Sequence, residues 1–201
     1  MLQGAVEKIR SEHKFLSELD SATGDGDHGT TMLRAVNQLD KTVVDHKASN
    51  LTALLNDASW ALLGIDGGAT SPLLGSLFMG MSESVGTRQE LDGNALAAMF
   101  EAGLAAVKKQ TKAQVSDKTM LDALVPAVQA LREGAEAEKS ILEMLQGAAA
   151  AAAQGALSTK NLTARVGRAK NLGDQTVGYQ DPGATLISLI FQGFYEGLVK
   201  T

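Results

Sequence analysis

Leu19–Thr31 reads LDSATGDGDHGTT, and within it Gly24–Gly29 (GDGDHG) has the G-x-G-x-x-G spacing of a dinucleotide-binding turn. Whether the chain is α/β or all-helical turns on this match, because such a turn must follow a β-strand. The residues before it do not alternate as a strand would. Leu2, Val6, Ile9 and Leu16 recur at helical spacing, with Glu7, Lys8 and Glu12 off that face. A helix ending near Leu19 therefore precedes the glycines. Aspartates inside a bare phosphate loop would also repel a pyrophosphate. The match is rejected, and a parallel sheet with it. An EF-hand reading fails as well: counted from Asp25, acids fall at loop positions 1 and 3, but position 12 is Val36 where a bidentate Glu is required.

Outward from this loop the periodicity stays helical. A second helix is expected from Gly29 or Thr30 to about Val44, and a third over Ala48–Gly64 with Asn50 as N-cap and Gly64 as stop. After the turn-rich GIDGGATSP, Pro72 opens a fourth helix, where its missing N–H is no loss. Leu96, Phe100, Leu104 and Val107 mark a fifth over Asn94–Lys109; Thr119–Leu131 reads as a sixth and Glu138 to about Leu157 as an alanine-rich seventh. The polar loop GRAKNLGDQTVGYQDPG precedes a last helix bearing Leu186, Ile187, Ile190, Phe191, Phe194 and Leu198. The expectation is an all-α single domain over residues 1–201, with about eight helices. Glycine-rich or acidic loops recur at 24–29, 64–71 and 167–183. In an up-and-down bundle, alternate loops meet at one end and can share a site.

Composition narrows the function. The 201 residues carry a net charge of −5 and no basic run, which argues against nucleic acid as partner. With no cysteine there is neither a disulfide framework nor a thiolate zinc site. No apolar run approaches the roughly 20 residues of a membrane span, and the N-terminus MLQGAVEKIR lacks the apolar core of a signal peptide. A cytoplasmic location is expected.

The chemistry concentrates in the acidic loop. Asp20, Asp25 and Asp27 offer hard oxygens of the kind magnesium takes, the rest of its octahedron being filled by water and phosphate oxygens. The helix start beyond them, with Thr30 and Thr31, offers N–H and hydroxyl donors to an anion. The plainer alternative is a solvated Asp/Gly turn. His28 is either a capping histidine or a donor to phosphate. GGATSPLLG from Gly67 has no lysine and is no Walker A loop; it is either a phosphate wrap or a helix-to-helix turn. Met120 is either core or a plate for a flat ring. Arg168 is either a surface ion pair or a phosphate fork. Asp181-Pro182-Gly183 starts a helix whatever else it does.

Taken together, LDSATGDGDHGTTM, GGATSPLLG, DKTMLDAL and GRAKNLGDQTVGYQDPGA resemble, in order and spacing, the dihydroxyacetone kinase L domain family over nearly the whole chain. The resemblance implies a barrel of eight antiparallel helices with a nucleotide, ADP or ATP, at one rim. It implies that Asp20, Asp25 and Asp27 hold two magnesium ions. His28, Thr31, Gly68, Ala69, Thr70 and Ser71 would lie along the phosphates, Met120 on adenine, and Arg168 with Asp181, Pro182 and Gly183 in a closing loop. It also implies transfer of a phosphoryl group to dihydroxyacetone held on a separate K subunit. A phosphotransferase M subunit would supply phosphate from phosphoenolpyruvate, with bound ADP as coenzyme, and a transcription regulator is a further candidate partner. The alternatives are an ATP-dependent kinase of dihydroxyacetone or a tetrulose, a non-catalytic regulator-binding module, and the related fatty-acid kinase N-domain, which chain length disfavours. Ser71, Leu74, Ser116, Gln175 and Tyr179 depart from the common family residues (glycine, aromatic, glycine, arginine and histidine respectively).

Overall fold

The computed structural model describes residues 1–46 and 50–200, and these form eight α-helices: α1 Leu2–Thr23, α2 His28–Asp45, α3 Leu51–Leu63, α4 Thr70–Val85, α5 Gly93–Gln110, α6 Leu121–Glu136, α7 Ile141–Ser158 and α8 Pro182–Val199. No strand occurs among the described residues. Each helix packs on its chain neighbours, and α8 packs on α1, so the eight close into a ring. The expected helices are all present, with shifted ends. α1 runs on to Thr23, past the expected stop near Leu19, and Gly24 N–H closes it on the Asp20 carbonyl at 2.6 Å. α3 starts after Asn50, whose side chain caps Ala53 N–H at 2.7 Å; Ala48 and Ser49 of the expected stretch lie outside the described residues. α4 begins two residues before Pro72, and the 167–183 loop holds 3-10 turns over Arg168–Thr176.

Glycine sets how closely the helices approach. At the α1–α8 closure, a Cβ on Gly193 would meet Ala5 Cα at 2.5 Å, and one on Gly4 would overlap the Gly193 carbonyl. At α1–α2, a Cβ on Gly29 would overlap the His13 carbonyl. Gly75 meets Leu63 at α3–α4, Gly80 meets Ala102 at α4–α5, and Gly155 lies on Asp122 at α6–α7. Except at Gly75, which meets the outer side-chain carbons of Leu63, the nearest contacts are of backbone on backbone, and a larger residue would part the helices. The α5–α6 seam is spanned instead by a bidentate pair, Arg132 Nε to Glu101 Oε1 at 2.7 Å and Arg132 Nη2 to Glu101 Oε2.

The ring interior is filled. Phe100 of α5 meets Phe191 and Phe194 of α8 with centroids 5.3 and 5.9 Å apart, and Leu16, Leu124, Leu131, Leu145, Leu186 and Ile187 are fully buried around them. Because α5 and α8 are not ring neighbours, these aromatic contacts cross the barrel. Each contributes about 0.5–1.5 kcal/mol beyond its buried area.

Two glycine substitutions separate packing from propensity. Gly193→Val should destabilise the chain by about 3 kcal/mol or more through overpacking at the α1–α8 seam. Gly147→Ala, at an exposed helical position with nothing within 4 Å of the added carbon, should stabilise by about 0.5–1 kcal/mol. Urea unfolding of both, followed by helical circular dichroism, checks the two signs.

Candidate nucleotide and metal site

An even ring sorts its connections by parity. The links α1–α2, α3–α4, α5–α6 and α7–α8 all reach one rim, where they line a single pocket of about 520 Å³. The helices that start there are α2, α4, α6 and α8. Four positive dipole ends therefore reach this rim beside the four negative ends of α1, α3, α5 and α7, and it is residues of the starts, His28, Thr70, Leu121 and Pro182, that line the pocket. The N-cap residues Asp27, Ala69 and Met120 make no side-chain capping bond, while Asp181 caps α8 by accepting from Ala184 N–H at 2.7 Å.

Beside these helix starts stands the acidic cluster. One oxygen each from Asp20, Asp25 and Asp27 lies within 4.8 Å of the other two, the one such group of three among the described residues. Asp20 projects from the last turn of α1, the negative end of that helix, where a carboxylate is electrostatically misplaced. Asp20 Oδ2 accepts the His28 N–H at 3.1 Å, which ties α1 to the start of α2. Asp25 is paired with Arg168 from the far α7–α8 link. The donor set contains only carboxylate oxygens, which suits magnesium and not a softer metal.

The glycine loop is built for close approach. Gly67 and Gly68 have φ of 121° and 61°, conformations that disfavour a side chain. They turn the chain so that Gly68, Ala69 and Thr70 line the pocket at the start of α4. Thr31 and Ser71 stand behind this wall. The Thr31 hydroxyl accepts from Arg34 Nη2 at 3.1 Å, and the same guanidinium nitrogen donates to the Asp66 carbonyl at 3.0 Å, bracing the loop from α2. Ser71 is fully buried, with a hydroxyl that has no hydrogen-bond partner. His28 does line the pocket; its Nε2 is shielded from solvent and unpartnered, and burial lowers its pKa while Asp20 raises it.

Met120, Arg168, Asp181, Pro182 and Gly183 line the same pocket. Sequence reasoning passed over Lys118, which is also there. It is only 4% exposed, and its Nζ donates to the carbonyls of Thr159 at 2.5 Å and Tyr179 at 2.6 Å. Ser116 and Lys118 adopt φ of 77° and 62°, which suits the glycine common at the Ser116 position in the family. Buried Asp122 holds this turn by accepting from Ser116 N–H at 2.5 Å and Thr119 N–H at 2.7 Å. The one local signal was that Asp117-Lys118 is separated from Met120 by one residue. Burial lowers the Lys118 pKa, with Asp181 and Asp122 opposing the shift.

The Asp181 carboxyl is pushed up to about 7, chiefly by burial and further by Asp122, against the pull of the Ala184 N–H and Lys118. The folded chain thus keeps a proton that the unfolded chain releases near 3.8. Stability from this source is complete below that value and is lost as pH rises through about 7. Asp181→Asn keeps the capping oxygen but not the titration. The urea midpoint of the ligand-free wild type should therefore fall relative to Asp181→Asn between about pH 4 and 7; parallel curves would refute the assignment.

The comparisons with known proteins bear on family and fold. The chain is 34% identical over 190 residues to the PEP-dependent dihydroxyacetone kinase 1, ADP-binding subunit DhaL of Listeria innocua, covering 94% of this chain and 90% of that one. It is 35% identical over 182 residues to the corresponding Escherichia coli subunit, covering 90% and 87%. Among solved structures, the dihydroxyacetone kinase from C. freundii in complex with AMP-PNP and Mg2+ superposes with a TM-score of 0.75 at 24% identity, over 98% of this chain and 33% of that one, and shares the fold. The DAK2 domain profile matches residues 22–196, from the end of α1 into the last turns of α8. By that match, and by relatives alike along almost their entire length, the chain belongs to the DAK2 domain family.

Proposed function

We propose that the chain is the ADP-binding subunit of a PEP-dependent dihydroxyacetone kinase, a phosphotransferase component, with residues 1–201 acting as one nucleotide-binding domain. The observation that carries this reading is the convergence, on one rim, of a three-carboxylate cluster with the starts of four helices. A nucleotide diphosphate with its magnesium needs both, since each sign of charge on the rim meets its complement. The names of the Listeria innocua and Escherichia coli relatives support it.

In this reading Asp20, Asp25 and Asp27 hold two magnesium ions. When bound, the ions neutralise phosphate charge. The backbone of Gly68, Ala69, Thr70 and Ser71 offers N–H groups at the start of α4 to the phosphate oxygens. His28 Nε2, in its protonated-nitrogen tautomer, donates to a phosphate oxygen. Thr31 acts from behind, through Arg34, to keep the glycine loop in place. Met120 lies against the adenine, and Arg168, Asp181, Pro182 and Gly183 close the opposite side. The chain supplies no nucleophile; its contribution is positioning and charge complementarity, the main sources of catalysis in phosphoryl transfer.

Dihydroxyacetone is held on a separate K subunit, and a phosphotransferase M subunit renews the phosphoryl group while ADP stays bound. A transcription regulator is a further partner for the same rim. This chemistry belongs in the cytoplasm. No described helix is long and apolar enough to cross a membrane.

Two measurements test the reading. In calorimetry, ADP should bind only weakly without magnesium and tightly with it. Asp27→Asn should weaken magnesium-dependent ADP binding by about tenfold or more, which is about 1.4 kcal/mol, with the helical circular dichroism unchanged. Unaltered affinity would remove the metal role from the cluster. With partner subunits and phosphoenolpyruvate present, labelled ADP should stay bound through many turnovers; rapid exchange would instead favour an ATP-dependent kinase of dihydroxyacetone or a tetrulose.

A further inference from the structure

Residues 159–181 form the longest link in the ring and carry Arg168, yet little apolar packing holds them: Leu172, Val177 and Tyr179 are exposed. Their anchors are polar. Asp181 N–H donates to Thr159 Oγ1 at 2.9 Å, and Gly178 N–H to the Lys160 carbonyl at 2.7 Å, which gathers both ends of the link. Thr176 Oγ1 accepts from Ala164 N–H at 3.0 Å and donates to the Gly173 carbonyl at 2.7 Å, which folds its middle. All of these bonds are internal to the link. Two residues make three further bonds that tie it to the neighbouring α5–α6 turn: Arg165 N–H donates to the Asp117 carbonyl at 3.2 Å, and the Lys118 ammonium donates twice.

Lys118 is the stronger of the two. Its ammonium is buried and reaches the carbonyls of Thr159 and Tyr179, one from each end of the link. Its backbone is held in a left-handed conformation by a turn that Asp122 fixes from below. Burying a lysine ammonium costs desolvation, and the two carbonyl acceptors that offset it hold the ammonium in one place. We propose that Lys118 is a positioning residue that staples the Arg168-bearing link to the turn that carries Met120, fixing the span of the pocket and setting how long a nucleotide stays. The second half of this statement rests on the nucleotide reading above; the first does not.

The test uses the full chain as wild type, Lys118→Met and Lys118→Arg. Amide hydrogen exchange without nucleotide should rise at least tenfold in Lys118→Met over residues 160–180, with helices α1 to α4 unchanged. Release of a fluorescent ADP analogue, with magnesium, should quicken at least tenfold while its association rate holds. Lys118→Arg, which keeps the charge and donors, should recover part of both. Gly103→Ala, a remote packing variant, should lower stability without altering release. Wild-type exchange over 160–180 in Lys118→Met, or a rise spread evenly over the barrel, overturns the staple. Should Lys118→Met not fold, Lys118→Gln, which keeps a donor for one carbonyl, is read by the same criteria. If the wild type binds no ADP, the nucleotide reading fails, and the exchange measurement still decides the staple.

Discussion

Everything on the working rim depends on the backbone contact between α1 and α8. Gly4, Ala5 and Gly193 bring the first and last helices together with almost no side chain between them. Without that contact the helices would form an open row, with Asp20 near one end and Asp181 near the other. With it they form a ring, and the four links of one parity face each other across a pocket. The site is a consequence of closure and of parity. Lys8 to Glu196, at 3.2 Å and partly exposed, adds little to the same seam.

The acidic cluster shows what the closed ring makes tolerable. Asp20 sits at the wrong end of a helix dipole, beside two further carboxylates. In an isolated α1–α2 hairpin, only the start of α2 would oppose that charge. In the barrel, three other helix starts and Arg168 face it as well. Local conflict of this kind tends to mark a functional position.

Most of the fold was legible because its signal is repetitive. Eight amphipathic stretches with ordinary stops and starts give eight helices, and rejecting GDGDHG as a dinucleotide turn settled the class. Ends were less legible where local and tertiary preferences part. Ser21 and Thr23 are indifferent helix formers and no apolar residue marks this turn, yet α1 continues through it and buries Thr23. The site was legible where chemistry is dense, at the aspartates and glycines. It was opaque at Lys118, whose importance lies in a burial and a backbone conformation created by distant residues. Thr31 was visible as a donor and Ser71 as part of the glycine loop, but which side of the wall they occupy is a tertiary fact.

The pocket draws Asp20 from α1 and Asp181 to Gly183 from the start of α8, so a ligand that spans it touches both the first helix and the last. Its binding energy is then shared with ring closure by mass action. Such a ligand works as a clasp: it strengthens the joint between the first helix and the last, and the joint in turn keeps the two halves of its berth aligned. Occupancy and the integrity of the hoop become a single cooperative property.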